Sequence, residues 1–265
     1  MTSASAVSWL FVPGSRSDRF EKAARSAADE IILDLEDAVE PSGKASARLA
    51  VAAWLESRDG WVRINASDTD WFEDDIEAVA SARGLRGVVV PKCEDLDVLD
   101  RLSSLLGERR VVPLIETCVG LDRIRELTKR LGVLRLAFGS LDFAADLGAI
   151  DEDVSLLFAR SELVLASRLA GLSAPIDGVT TSLREPEAVA AAAKRSRALG
   201  FGGKLCVHPE QVAPVREAFQ PNAEEVAWAH RIITASRVAE SGAVSVDGQM
   251  VDRPVIERAR RILDR

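Results

Sequence analysis

The sequence predicts a (β/α)8 barrel, the TIM-barrel form of the α/β class, with a C-terminal helical extension. Three observations carry that prediction. Short runs rich in Val, Ile and Leu recur eight times, each followed by a stretch with helical spacing, and eight such units match barrel closure. No G-x-G-x-x-G or Walker loop follows any of the runs, which removes the usual mark of an open doubly wound sheet. The chain has 265 residues, 47% of them hydrophobic, enough for the core of one large domain.

The first run is WLFVPG (9–14), followed by the helical SDRFEKAARSAA. EIILDLED (30–37), WVRIN (61–65), GVVVPK (87–92), VVPLIET (111–117) and LRLAFGS (134–140) come next. PIDGVTT (175–181) and GKLCVHP (203–209) complete the set. EPEAVAAAAKRSRALG, between the last two, has Pro near its start and a terminal Gly, a helix signature. GFGG (200–203) joins that helix to the eighth strand, at the wrong end for a barrel active site. Residues 1–220 are therefore predicted to form the catalytic barrel. Residues 221–265 read as a helix, a short strand or hairpin (AVSVDGQMV) and a closing helix. They are too few for an independent domain, so they are expected to pack on the barrel or on a neighbouring subunit.

Composition excludes several functions. A net charge of −8 and a pI near 5.0 argue against nucleic acid or an anionic membrane as a general partner. Any anionic substrate must be met by locally placed Arg, Lys or metal. The three cysteines are scattered, with no CxxC pair, so neither a disulfide set nor a zinc site is expected, and a reducing cytoplasm fits. No apolar run reaches membrane-spanning length. With no Tyr and only His208 and His230, a His-centred triad or three-His zinc site cannot be built. Acid–base work falls to carboxylates, Lys, Cys or a metal-bound group.

Polar residues gather where barrel strands end. The second strand supplies Asp34, Glu36 and Asp37, a cluster that is costly unless a cation sits within it. The third supplies Arg63 and Asn65, two apart and so expected on one face; the fourth ends in Lys92. The fifth ends in Glu116, the sixth in Ser140 with Asp142 just beyond, and the seventh contains Asp177. Glu116 and Asp142 lie one βα unit apart. Two such carboxylates, with room for water and substrate oxygens, suit Mg²⁺; the bland alternative is that each caps a helix or pairs with an Arg. An inward Arg63 needs an anion, for which Glu36 and a substrate carboxylate or enolate are the candidates. The stretch LDFAADLGAIDEDVS, from 141, reads as the longest βα loop, a common place for function.

These motifs, WLFVPGSRSDRF, LDLEDAV, VRIN, VVPK, PLIET, AFGSLDFAADLG, VHPEQV and GQMVDRP, come in an order that resembles the citrate lyase beta-subunit-like family. That family includes malyl-CoA, methylmalyl-CoA and citramalyl-CoA lyases, within the HpcH/HpaI aldolase superfamily. The resemblance spans residues 9 to 255. It implies a homotrimer or trimer-based assembly with an Mg²⁺ cofactor. It also implies reversible Claisen-type cleavage of a 3-hydroxyacyl-CoA to acetyl-CoA and a 2-oxo acid such as glyoxylate or pyruvate. Glu116 and Asp142 match the metal ligands, Arg63 a substrate contact, and Glu36 and Asp37 the acids supporting both. Asp252, in MVDRP, matches an aspartate that acts on the acetyl-CoA methyl group of a neighbouring subunit; D-R-P is equally a good helix start. Arg16 and Arg19 are candidates for the CoA phosphates. GSLDF departs from the family's commoner form, with Glu and Asp adjacent, but keeps the ligand Asp142. Three rivals remain: a citrate lyase beta subunit acting on citryl-acyl carrier protein, a plain 2-oxo-acid aldolase, and a non-catalytic metal-binding interaction subunit.

Overall fold

Eight parallel strands close on themselves in sequence order in a computed structural model of the chain, which describes residues 2–183, 185–238, 244–246 and 249–263. The strands are β1 (Ser8–Pro13), β2 (Glu30–Asp34), β3 (Gly60–Arg63), β4 (Leu85–Val90), β5 (Arg110–Ile115), β6 (Ala137–Phe138), β7 (Ile176–Asp177) and β8 (Gly203–Cys206). β8 pairs back onto β1, so the sheet has no edge. Helices fill the connections, as in Lys44–Leu55, Leu96–Leu106 and Pro186–Leu199. The (β/α)8 barrel expected from the eight alternations is the observed fold.

The strands' two-residue alternation explains both core and site. Trp9, Ile32, Trp61, Val89, Val112, Leu114, Ala137, Ile176 and Leu205 fill the barrel interior. Two residues beyond Ile32, Trp61 and Leu114 stand Asp34, Arg63 and Glu116, carried by the same alternation to the C-terminal mouth. β2 and β3 pair with Asp34 directly opposite Arg63.

The chain divides into two units, Met1–Glu217 and Ala218–Arg265. In the second, helices Ala223–Val238 and Arg253–Leu263 share an apolar core of Ala229, Ile232, Val251, Ala259 and Ile262. The strands Val244–Val246 and Gln249–Val251 between them pair antiparallel, as the sequence pattern expects; residues 243, 247 and 248 of that stretch lie outside the described residues. No helix among the described residues is long and apolar enough to cross a membrane.

Three local expectations need correction. The stretch from 141 is not a continuous loop: Ser140–Leu147 is a helix, ended by Gly148 at a φ of 71°. Phe143 and Ala144 are buried on its inner face, and the left-handed glycine supplies the stop. Asn65 does not share a face with Arg63, because β3 ends at Arg63. Its amide instead donates to Asp75, in helix Phe72–Val79 (2.6 Å). Asp177 turns outward, since its neighbour Ile176 points into the barrel, and pairs with Arg160 (3.1 Å) and Ser196 rather than facing the mouth.

Candidate active site

The barrel mouth holds a cleft of about 360 Å³ lined by Asp34, Asp37, Arg63, Glu116, Ser140 and Asp142, with Phe11 and Phe138 among its apolar walls. The acids at the end of β2 and just beyond it are organised by two cations, besides the Lys92 ammonium 3.2 Å from Glu36 Oε1. Arg63 donates from Nε and Nη2 to the two oxygens of Asp34 at 2.7 and 2.6 Å, a bidentate fork. Its Nη1 is 2.8 Å from Glu36 Oε2, but out of line for a hydrogen bond, so that buried oxygen has a charge neighbour and no donor. Asp37, 3.6 Å away and mostly exposed, is a weaker partner. Beneath the guanidinium lies the Phe11 ring, 4.7 Å from it. Burial alone would depress the Arg63 pKa; Asp34, Glu36 and Asp37 outweigh it and raise it, so this side chain is a fixed cation. Glu36 is thus an ion-pair neighbour of Arg63. The principal partner of Arg63, however, is Asp34.

The second cation, Lys44, was not singled out in the sequence. Its buried ammonium donates to the carbonyls of Leu35 and Glu36, both at 2.7 Å, and to Asn65 Oδ1 at 2.6 Å. Asn65 is held in turn by Asp75, which Arg48 binds at 2.9 Å. This chain of bonds pins the segment that presents Glu36 and Asp37. Its sequence signal was a lysine opening a helix nine residues after Leu35, which by itself is unremarkable surface chemistry.

Glu116 sits at the end of β5, buried, with Oε1 accepting the Lys92 backbone N–H at 2.7 Å. Burial, with the nearby charges of Glu36 and Asp142, pushes its pKa up to about 8, against the Lys92 N–H and Arg63. Glu36 is likewise raised by burial, with Asp37 adding to the effect and Arg63 and Lys92 opposing it. Asp142 is exposed to the cleft in the first turn of helix Ser140–Leu147. Between the two carboxylates lies Gly139, where a Cβ would collide with Glu116 Oε2; only glycine admits this approach. Ser140 Oγ, on the same wall, is buried without a hydrogen-bond partner.

Divalent metal fits this arrangement. Glu116 is a buried carboxyl whose ionised form the protein leaves undercompensated, beside a second carboxylate and an unpaired hydroxyl, all hard oxygen donors. Among the described residues no group of three or more His, Cys, Asp or Glu side chains is placed to hold a metal. Two protein carboxylates completed by water and substrate oxygens suit Mg²⁺ better than an all-protein cage does.

The other candidates on the barrel do not line the cleft. Arg16 pairs with Asp18 on the surface (2.8 Å) and is not in the cleft wall. Arg19 and Lys22 line an adjoining groove of about 530 Å³ that shares Phe11, Pro13 and Val207 with the cleft. Asp252 precedes helix Arg253–Leu263 and accepts the Val255 N–H at 3.2 Å, as a helix cap does. Cys93 and Cys206 are buried and burial pushes both thiols up, Cys206 to about 12, so neither is an activated nucleophile. His208 accepts the Glu210 N–H (3.3 Å) and caps the turn after β8, a structural role.

Residues 7–209 match the family model described as HpcH/HpaI aldolase/citrate lyase. The chain belongs to that family. It is thus a member of an enzyme family of carbon–carbon lyases. A solved structure of CitE from Mycobacterium tuberculosis, in complex with magnesium, acetoacetate and coenzyme A, superposes with a TM-score of 0.86 at 35% identity, covering 98% of each chain. The chain is 32% identical to a (3S)-malyl-CoA thioesterase of Cereibacter sphaeroides, over 96% of its own length and 92% of that protein. It is 31% identical to the mitochondrial citramalyl-CoA lyase of Rattus norvegicus, over 96% and 84%.

Proposed function

We propose that this member of the family is an Mg²⁺-dependent lyase that cleaves a 3-hydroxyacyl-CoA of the malyl-CoA or citramalyl-CoA type. The products are acetyl-CoA and a 2-oxo acid, glyoxylate or pyruvate. The observation that carries the reading is the meeting of Glu116, Asp142 and Arg63 on one cleft at the barrel mouth. Magnesium bound in relatives supports the cofactor.

Glu116 and Asp142 would hold the ion, which supplies Lewis-acid stabilisation of negative charge on substrate oxygens. Asp34 and Glu36 hold Arg63 in one orientation and damp its field, so it acts as an aimed donor rather than a free charge. With Nε and one Nη2 hydrogen engaged by Asp34, the remaining Nη hydrogens serve a substrate carboxylate or the thioester enolate oxygen. Phe11, Leu114, Phe138 and Leu205 give the cleft apolar walls that limit water around the enolate. The 3-hydroxyl releases its proton to water at the cleft mouth and its oxygen becomes the carbonyl of the 2-oxo acid; the bond between the α-carbon and the hydroxyl-bearing carbon breaks, and its electron pair passes to the acetyl-CoA enolate. That enolate must be protonated at carbon, and Asp252 of a neighbouring subunit is assigned this role.

The groove beside β1, with Arg19 and Lys22, is proposed to take CoA, and Arg16, three residues before Arg19 in the chain, is proposed as a further phosphate contact. Leu147, Ile150, Val154 and Phe158 are exposed apolar residues between β6 and helix Leu157–Leu169 and on that helix's first turn. They support burial against a neighbouring subunit, because such surface is seldom left to water, and the assembly is proposed to be a homotrimer or trimer-based oligomer. The free cysteines among the described residues fit a cytoplasmic location.

The test is an assay of malyl-CoA and citramalyl-CoA with purified protein, Mg²⁺ and no carrier protein, reading acetyl-CoA, free CoA and 2-oxo acid. Stoichiometric acetyl-CoA and 2-oxo acid, lost on chelation, are expected. Free CoA with the hydroxy acid intact would point to hydrolysis, and turnover only with citryl-acyl carrier protein to a citrate lyase beta subunit. In the same assay Asp252→Asn should slow isotope exchange into the acetyl-CoA methyl group without weakening Mg²⁺ binding; exchange at full rate would remove Asp252 from the scheme.

A further inference from the structure

We propose that Lys92 is a positioning residue for the metal pair, acting through its backbone. The left-handed turn just past β4 sets its N–H on Glu116 Oε1, which leaves Oε2 as the oxygen that meets the ion. The inference rests on Glu116 and Asp142 being the metal carboxylates.

Lys92 has a φ of 43° and is the one non-glycine residue at positive φ among the described residues. Side chains of L-residues crowd the backbone there, and Gly or Asn is the usual occupant. A lysine in that conformation is held by its surroundings, and such outliers gather at functional sites. Here the surroundings are explicit. β4 fixes the chain up to Val90, and buried Cys93, whose N–H donates to the Leu114 carbonyl (3.4 Å), fixes it beyond. Between these anchors the Lys92 N–H reaches Glu116 Oε1 at 2.7 Å and its ammonium reaches Glu36 Oε1 at 3.2 Å. Relaxing φ to a negative value must move the peptide plane or one of the two anchors. Both polar groups of this strained residue therefore serve acids of the cleft.

Gly139 is an independent second observation. A Cβ at that position would overlap Glu116 Oε2, so this oxygen lies against the turn that leads into Ser140 and Asp142. The two Glu116 oxygens thus have different surroundings: Oε1 accepts an N–H, while Oε2 lies on the Asp142 side. That division fits a carboxylate binding a cation through one oxygen while the other is fixed by the protein.

Titration calorimetry with MgCl2 on three full-length variants tests this without recourse to turnover. Lys92→Gly accepts positive φ freely, Lys92→Ala tolerates it poorly and Lys92→Val resists it most. Lys92→Gly should bind Mg²⁺ within about threefold of wild type, while Lys92→Val binds about tenfold or more weakly, the scale seen when a ligand's supporting contact is lost. Thermal midpoints should fall in the order Gly, Ala, Val. Should Lys92→Val fail to fold, the Gly–Ala comparison carries the test, with the weaker affinity in Ala. Equal affinities across the compared pair overturn the backbone role and leave the metal site standing. A wild-type protein that takes up no Mg²⁺ overturns both.

Discussion

Glu116→Gln is expected to lower turnover of the CoA ester about 1000-fold, equivalent to about 4 kcal/mol of transition-state stabilisation, while the protein stays folded. Asp142→Asn should do the same. Gln and Asn keep the shape and a carbonyl acceptor but remove the negative charge that a divalent ion requires. The fold should tolerate Glu116→Gln because the native carboxylate is itself ill at ease: its pKa is pushed up from 4.5 to about 8. The pH dependence follows from that shift. Between about pH 4.5 and 8 the folded, metal-free protein keeps a proton on Glu116 that the unfolded chain has released, so stability is full below this window and falls as pH rises through it. In chelator, the thermal midpoint should therefore decline toward pH 8. Glu116→Gln should flatten the decline, leaving the part contributed by Glu36, which is raised in the same direction. Mg²⁺ should restore more stability at pH 8 than at pH 6, because it binds the deprotonated site. Thermal melts across this range, with chelator or Mg²⁺, check all three.

Arg63→Met should destabilise the fold by about 3–5 kcal/mol in urea unfolding, since it strands carboxylates in the barrel mouth. Asp34 is 1% exposed and receives both its Arg63 hydrogen bonds from the group being removed. Lys44 binds the neighbouring carbonyls and Lys92 binds Glu36, so neither replaces the fork on Asp34. Arg63→Lys separates stability from activity. A single ammonium can neutralise Asp34 but cannot form a planar bidentate pair and also present aimed hydrogens to the substrate. It should keep the fold and lose about 100-fold or more in kcat/KM, the scale of one preorganised donor. Wild-type kinetics in Arg63→Lys would show that Arg63 serves the barrel alone.

What could be read from the sequence was whatever depends on local pattern. The alternation of apolar runs and helical stretches gave the barrel, and the strand-end positions of Arg63 and Glu116 followed from the same two-residue period. What escaped depends on register and on partners distant in the chain. Asp34 and Glu36 both follow Ile32 at even spacing, and only the pairing of β2 with β3 puts Asp34 opposite Arg63. Lys44 meets Asn65 across 21 residues, through a helix-to-loop contact with no periodic signature. The helix Ser140–Leu147 was hidden by the acidic residues beyond it, although Gly139 and Gly148 mark its two ends. Positive φ at Lys92 has no sequence signal, because lysine is not a residue that favours it.

The most direct measurement is a crystal grown with Mn²⁺ in place of Mg²⁺ and soaked with pyruvate, with anomalous difference density locating the metal. One peak is expected between Glu116 Oε2 and an Asp142 carboxylate oxygen, with the 2-oxo acid and water completing the shell, and Glu116 Oε1 still bonded to the Lys92 N–H. Density at another place in the barrel, or both carboxylates turned from an empty cleft, would contradict it.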